Sequence, residues 1–192
     1  MTTVEAIIYN QPGAHSVEDR TVLDIKDSRT IFVPVEGDDA VAGVAADLVG
    51  EGVRRIELCG ALGPRAFAKV RAGVNDEVPV GVCTFGVESV AGANAFEARL
   101  MSGERVSVAL LFLAEGANPE TDEVTTESGT ALIRFIPVPD QAAAAEVGCG
   151  LVRDATADLV ELYRGIGPAP AAEILAAAEG RTPVGMVLYG RQ

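Results

Sequence analysis

The sequence predicts an α/β protein made of two similar βαβαβ-containing halves with a mostly parallel sheet. Two observations carry this prediction. Short apolar runs alternate with amphipathic helical stretches, which is the order typical of βαβ units, and the second part of the chain repeats the first. With 192 residues, of which 48% are hydrophobic, the chain is long enough for one large core or two small ones.

The repeat is visible when the chain is aligned with itself. Glutamate, glycine and proline positions coincide in the same order in both copies, which indicates a tandem duplication rather than a chance similarity of turns. Three pairs of stretches align: 4–19 with 107–122, 32–40 with 135–143, and, without gaps, 56–86 with 160–190.

The predicted domains are a first α/β repeat over residues 1–86 and a second, degenerate repeat over 107–192. The stretch 87–106 has no counterpart in the second copy and is predicted to be a linker that carries a short strand at 96–101. Because small domains bury a lower fraction of their surface, we expect the halves to pack against each other as a pseudo-dimer.

Each half is predicted to run strand, hairpin-like second strand, third strand, helix, strand, helix, strand. Apolar residues at helical spacing predict a first helix over 38–51, with Asp38 as its N-cap and Gly52 just past its end. Pro64 suits the first position of a second helix. The alternation of strands and helices implies parallel pairing with right-handed crossovers. Strands of the first half are expected near 4–9, 20–25, 30–35, 54–59 and 79–85.

Charge and composition exclude several kinds of partner. The formal net charge of -13 repels phosphate backbones and anionic headgroups, so we expect neither nucleic acid nor membrane as a partner. The longest apolar run, 108–114, is too short to cross a bilayer, and the N-terminus lacks a basic region before an apolar run. The expected location is therefore cytoplasmic. Nothing in the sequence excludes a homo-oligomer.

The three cysteines give no evidence for a disulfide framework or a metal. Cys59, Cys83 and Cys149 cannot all pair, and their spacing matches no zinc pattern. No GxGxxG or GxxxxGK[ST] motif is present, so the sequence indicates no particular cofactor and no metal.

The stretch IELCGALGP, at 56–64, carries the chemistry that the sequence offers. It lies where a parallel strand turns into a helix, and ligands of α/β proteins collect at that edge of the sheet. Gly60 and Gly63 permit close backbone approach, and the helix starting at Pro64 favours a small anion. Because strand side chains alternate, Glu57 and Cys59 point to the same face.

Two interpretations of these side chains stay open. In the functional one, Cys59 is a thiolate favoured by the helix N-terminus, and Glu57 accepts protons or anchors a ligand. In the structural one, Cys59 is a small buried hydrophobe, and Glu57 is held by backbone N–H groups or an arginine. The second copy keeps the acid as Glu161 but replaces the cysteine with Tyr163.

Two further polar residues follow the first strand at the same edge. Asn10 ends the strand, and His15 lies in the loop after it. The counterpart of His15 is Asn118, which cannot act as a base. Because His15 is the one histidine of the chain, the sequence offers few residues for a Ser/His/Asp triad or a histidine-rich metal site.

The first half resembles a bacterial family of short uncharacterised proteins, a domain of unknown function. The resemblance is carried by the motif I-E-L-C-G-x-x-G-P, by the Glu51-Gly52 pair that ends the preceding helix, and by the P-V-G-V strand at 79–82. The resemblance implies no activity, substrate or cofactor. In the second half the motif is degenerate and reads VELYRGIGP.

Two hypotheses about function follow, and neither decides whether the protein is an enzyme. The first is a small-molecule site at 57–64, whose possible ligands include small anions. It is formed by Glu57, Cys59, Gly60, Gly63, Asn10 and His15. The second is a structural or oligomerisation module without a ligand site. Because the Gly-Pro pairs at 63–64 and 167–168 match, the sequence also predicts the same strand-to-helix geometry in both halves.

Overall fold

The computed structural model describes residues 2–75 and 77–190. Over these residues the protein is α/β, with ten strands and five α-helices. The strand pairings within its two compact units are parallel except for two hairpins. The predicted fold class is therefore confirmed, and the same order of elements recurs in both halves.

Among the described residues, the first unit comprises 2–75 and 77–83 together with 187–190. Its strand order is β2-β3-β1-β4-β5, in which β2 and β3 form an antiparallel hairpin and the other neighbours are parallel. Its elements are β1 (Thr3–Asn10), β2 (Thr21–Ile25), β3 (Ser28–Val35), α1 (Gly37–Gly50), β4 (Ile56–Leu58), α2 (Gly63–Val74) and the start of β5 (Val80–Phe85).

The second unit comprises residues 84–186 and repeats this order as β7-β8-β6-β9-β10. The last strand is divided between the units, because residues 187–189 belong to the first. A short 3-10 helix (Val87–Ser89) and α3 (Val90–Met101) precede its strands. The remaining elements are β6 (Val106–Leu113), β7 (Val124–Ser128), β8 (Ala131–Val138), α4 (Gln141–Arg153), β9 (Leu159–Tyr163), α5 (Pro168–Ala178) and β10 (Val184–Tyr189). Packing of the halves as a pseudo-dimer stays a prediction.

Helix α1 forms where the apolar periodicity predicts it, but its start differs. The N-cap is Glu36, without a side-chain cap, and Asp38 lies inside the first turn with Asp39. The prediction of Asp38 as N-cap is therefore wrong, because Gly37, at φ +72°, begins the helix. Two carboxylates in the first turn are still favourable, since they face the positive end of the helix dipole.

The strand predicted at 96–101 is also wrong, because this segment belongs to α3. Less exposed residues recur there at helical rather than strand spacing, at Gly92, Phe96 and Leu100. Gly92 allows the helix to approach the backbone near Pro183, since a Cβ at Gly92 would lie 3.2 Å from the carbonyl oxygen of Arg181. The stretch predicted to be a linker is thus largely helical.

The two strand-to-helix turns differ, although their Gly-Pro pairs match. Gly63 has φ +57° and is the first residue of α2, whereas Gly167 has φ -89° and precedes α5. In the second half the positive φ angles lie earlier, at Arg164 and Gly165. The prediction of identical geometry is therefore wrong. A glycine at 165, where the first half has Ala61, permits the left-handed turn there.

One face of the second unit packs against α4 and α5. Gly148 of α4 lies directly under Ile174 of α5, and a Cβ at Gly148 would come within 2.7 Å of the Ile174 Cγ1 atom. Absence of a side chain at Gly148 therefore sets the distance between the two helices. The core between them and the sheet includes Ala109, Leu111, Ile136, Val138, Val160, Leu162, Ile174 and Val184.

We predict that Gly148→Ala lowers the free energy of unfolding by about 1–2 kcal/mol, because the new methyl group overpacks a filled core. The matched control is Gly150→Ala in the same helix, where a Cβ meets nothing within 4 Å. That variant should gain up to about 1 kcal/mol from helix propensity. Urea denaturation measures both values, and equal stabilisation by the two variants would contradict the packing described for Gly148.

Candidate functional site

Glu57 lies in the middle of the first unit's sheet. It is the central residue of β4 and is in register with Ile7 of β1 and Gly81 of β5. Its side chain is 1% exposed, and its Oε1 atom accepts a hydrogen bond from the phenol of Tyr189. The predicted position of Glu57 on a strand is confirmed, and its partner comes from the end of β10.

Gly81 makes this contact sterically feasible. A Cβ at Gly81 would lie 2.5 Å from the Cγ1 atom of Val187 and 3.0 Å from the Cε1 atom of Tyr189. The tyrosine ring therefore occupies the space that a side chain at position 81 would fill. We call this space, bounded by Glu57, Gly81, Val187 and Arg55, the Tyr189 slot.

Arg55 forms the second charged side of the slot. Its guanidinium carbon lies 5.9 Å from the centroid of the Tyr189 ring, within the range of a cation–π contact. Its Nε atom is 3.7 Å from the Oε1 atom of Glu5, which is buried on β1. The slot thus combines two buried carboxylates, one guanidinium and one phenol.

The slot is open to solvent through two of these groups. The side chain of Arg55 is 37% exposed, and Tyr189 is 41% exposed. Burial and then the carboxylate of Glu57 raise the pKa of Tyr189. The phenol therefore stays protonated and acts as a hydrogen-bond donor to Glu57 at neutral pH.

Cys59 is buried beside Tyr9 on the same face of the sheet as Glu57. It is 6% exposed, and its main chain is held by two hydrogen bonds, to the carbonyl of Ile8 and from the N–H of Leu62. Burial, then the charges of Asp19 and Cys59, raise the pKa of Tyr9 to about 12. These contacts describe a packed thiol.

Gly60 is half-buried, and Gly63 begins α2 without a side-chain cap at its N-terminus. Asn10 lies elsewhere, because strand alternation places it on the face opposite Ile7 and Glu57. Its Oδ1 atom accepts a hydrogen bond of 3.0 Å from the N–H of Gly37 and so fixes the start of α1. The structure thus does not bring Asn10 together with Glu57.

His15 forms a turn that both halves share. Its N–H donates to the Oδ2 atom of Asp19 over 2.7 Å, and its Nδ1 atom accepts from the N–H of Glu18 over 3.3 Å. In the second half the N–H of Asn118 donates in the same way to Asp122 over 2.8 Å. The contacts of His15 are those of a turn residue.

In the second half, the equivalent acid is bonded by a tyrosine from a different part of the chain. Glu161, 4% exposed, accepts a hydrogen bond from Tyr163, two residues further along the same strand and 0% exposed. The amide of Gln141 also bridges the loop, since it donates to the carbonyl of Gly165 and accepts from the N–H of Gly167, both over 2.9 Å. Glu161 is therefore sealed by its own strand.

The described part of the chain contains neither a cluster of metal-binding side chains nor a helix that could span a membrane. Residues 2–75 and 77–190 contain no group of three or more histidine, cysteine, aspartate or glutamate side chains that could hold a metal ion. Within the same ranges, no helix is both long enough and apolar enough to span a bilayer.

The model of a family of unknown function, DUF6506, matches residues 3–98 and again residues 106–192. The chain belongs to this family. Its two matched segments are consistent with the tandem arrangement predicted from the sequence. The match assigns no activity to either copy.

The other comparisons add little to this DUF6506 assignment. No curated protein sequence matches the chain. A solved structure, the carbohydrate transporter from Acidothermus cellulolyticus 11B in complex with myo-inositol, is 16% identical. The alignment covers 97% of this chain and 74% of that one, with a TM-score of 0.33. At this TM-score the likeness carries no argument about function.

Sequence reasoning missed Tyr189, Arg55, Gly81 and Glu5 as neighbours of Glu57. Strand alternation could have placed Arg55 on the face of Glu57, since they are two residues apart. Gly81 had a signal too, because the glycine recurs as Gly185 in the second copy. No signal in the sequence shows that the end of β10 completes the first unit.

We predict different costs for removing the two phenol hydroxyls. Tyr163→Phe should lower the free energy of unfolding by about 2–3 kcal/mol, because Glu161 loses its donor out of reach of water. Tyr189→Phe should cost about 1 kcal/mol or less, since solvent reaches this position. Chemical denaturation of both variants measures the difference, and a larger loss for Tyr189→Phe would contradict the description of the second half as the sealed one.

We also predict a loss of stability at alkaline pH. The pKa of Tyr9 in the folded state, about 12, lies above the ordinary value of 10.0. The protonated phenol of Tyr9 therefore contributes its full stabilisation of the folded state below about pH 10. As the pH rises to about 12, the free energy of unfolding falls by about 2–3 kcal/mol. Denaturation at rising pH measures this loss, which Tyr9→Phe should reduce. An unchanged pH dependence in Tyr9→Phe would refute it.

Proposed function

We propose that the first half of the protein binds a small molecule in the Tyr189 slot, with Glu57 as the anchor. The observation that carries this proposal is the contrast between the two equivalent acids. Glu57 is bonded by a tyrosine that is 41% exposed, whereas Glu161 is bonded by one that is 0% exposed. A ligand can replace an exposed side chain at much lower cost than a fully packed one.

The chemistry of the slot limits the ligand. A buried carboxylate requires a hydrogen-bond donor at all times, so a ligand that displaces Tyr189 must bring a donor of its own, such as a hydroxyl or an ammonium group. The space over Gly81 is filled at present by a phenol ring. The ligand therefore has about the size of that ring.

Two parts of the first unit offer an anionic group a partner. One is the loop from Gly60 to Pro64, whose helix α2 has neither an acidic residue in its first turn nor a side-chain cap. The other is the guanidinium of Arg55. The loop is the position that the motif suggests, with Cys59 at its start, and Asn10 and His15 hold the neighbouring turns.

The test is a binding screen with small amines, polyols and amino acids on the wild type and three variants. Thermal shift should detect a ligand of the wild type, because binding stabilises the folded state by RT ln(1 + [L]/Kd). Glu57→Gln should abolish the shift, whereas the matched variant Glu161→Gln should keep it. Tyr189→Phe should bind several-fold more tightly, since the ligand no longer competes with the phenol.

Tyrosine fluorescence provides an independent readout of the same screen. The chain has no tryptophan and three tyrosines. A carboxylate that accepts a hydrogen bond from a phenol quenches its emission, so displacement of Tyr189 from Glu57 should raise the signal. A ligand that stabilises Glu57→Gln as much as the wild type would place its site elsewhere and end this proposal.

A structural role is the second candidate, and one observation favours it. Glu57 already has a protein partner, and Cys59 is buried in packed surroundings. In that case the hydrogen bond from Tyr189 to Glu57 has a structural role, and it holds the end of β10 on the first unit. Failure of every compound in the screen, together with equal stability losses in Glu57→Gln and Glu161→Gln, would support this structural role.

A further inference from the structure

We propose that the ligand of the Tyr189 slot is a small zwitterion of the amino-acid class, with its ammonium group on Glu57 and its carboxylate on Arg55. This inference rests on the proposed function, because it takes Glu57 as the anchor. It goes further by assigning the second binding residue, and it places the anionic group at Arg55 rather than at the loop from Gly60 to Pro64.

The first argument is the bonding of Arg55. Its Nε atom lies 3.7 Å from Glu5, too far for a hydrogen bond, and its other close partner is the flat face of the Tyr189 ring. Among residues 2–75 and 77–190, nothing accepts a hydrogen bond from its guanidinium. Five N–H donors in a planar fork are thus available at the mouth of the slot, and this geometry matches a carboxylate.

The second argument is the charge of the slot. Two buried carboxylates, Glu5 and Glu57, lie on the same face of the sheet as one guanidinium, that of Arg55. A purely anionic ligand would be repelled by the carboxylates. A ligand with only an ammonium group would compensate Glu57 but leave the guanidinium donors of Arg55 unused. A zwitterion satisfies both groups and adds no net charge.

The third argument is spacing. Residues 55 and 57 are next-nearest neighbours along the chain, and a strand rise of ~3.3 Å per residue puts their Cα atoms roughly 6.6 Å apart. Their side chains extend to the same face, and both contact Tyr189: the guanidinium of Arg55 lies over its ring, and Glu57 accepts from its hydroxyl. A ligand that separates its two charges by several bonds therefore fits better than one with both charges on the same carbon.

The alternative position for the anion is less suitable. Pro64 removes one of the few N–H donors at the start of α2, and the N–H of Leu62 is already bonded to the carbonyl of Cys59 over 3.1 Å. Asp38 and Asp39 of α1 also lie next to α2, since they face Arg65 and Lys69. The loop therefore offers an anion few donors and two nearby carboxylates.

The experiment compares 4-aminobutyrate with n-butylamine, which has a methyl group in place of the carboxylate, by calorimetry on the full chain. The wild type should bind 4-aminobutyrate at least tenfold more tightly. Arg55→Met, which keeps the apolar stem, should bind the two compounds equally, and Arg55→Lys should restore part of the preference. Glycine and β-alanine complete a spacing series, in which affinity should rise with the distance between the charges.

Two further variants make the test decisive. Glu5→Gln/Arg55→Met removes both members of the ion pair, so a folding defect caused by a lone buried Glu5 is avoided, and it should also lose the preference. Gly63→Ala tests the loop and should leave the preference unchanged. An unaltered preference in the double variant, or a preference lost only in Gly63→Ala, would overturn the assignment to Arg55.

The outcome is separable from that of the proposed function. If polyols or other neutral donors bind through Glu57 while 4-aminobutyrate does not, the zwitterion is wrong and the Glu57 site stands. If no compound of the broader screen binds the wild type, the site itself fails. If both compounds bind equally well to the wild type, Arg55 does not recognise a carboxylate, and this inference fails alone.

Discussion

A buried carboxylate in a parallel strand must accept a hydrogen bond, and this requirement organises both halves of the molecule. A buried carboxylate that loses its hydrogen-bond donor costs about 1–3 kcal/mol, and the cost is highest where water cannot replace the donor. Both copies keep the acid at the same place and meet it with a tyrosine, but from different parts of the chain. Tyr163 comes from the strand of Glu161 itself, whereas Tyr189 reaches Glu57 from the end of β10.

The two tyrosines differ in exposure. The ring of Tyr189 covers the position that a side chain at Gly81 would fill and stays partly exposed. Glu161 also has a glycine in register, Gly185, but its tyrosine lies on its own strand and is fully buried. One half therefore holds its acid with a group that solvent reaches, next to an arginine, and the other holds it inside the core. The proposal of a ligand site in the first half depends on this difference in the exposure of the two tyrosines.

Much of the fold was predictable from the sequence, because it depends on local rules. Apolar periodicity placed α1, and the Gly-Pro pairs marked the starts of α2 and α5. The self-alignment revealed the repeat. The errors arose where a local rule was ambiguous, as at α3, or where one glycine moved the positive φ angles, as at Gly165. Glu57 was named because an acid in an apolar strand is conspicuous, whereas Tyr189 was missed because its contact joins residues 132 positions apart.

The exchange of the phenolic hydroxyl protons with water tests the central contrast most directly. NMR on protein labelled at tyrosine can follow the Oη–H protons of Tyr163 and Tyr189, each donated to a glutamate. The proton of Tyr163 should be strongly protected, and that of Tyr189 should exchange much faster, because the ring opens to solvent without disturbing the core. Equal protection of the two protons would show that both acids are sealed alike, and would contradict the account of an openable slot in the first half.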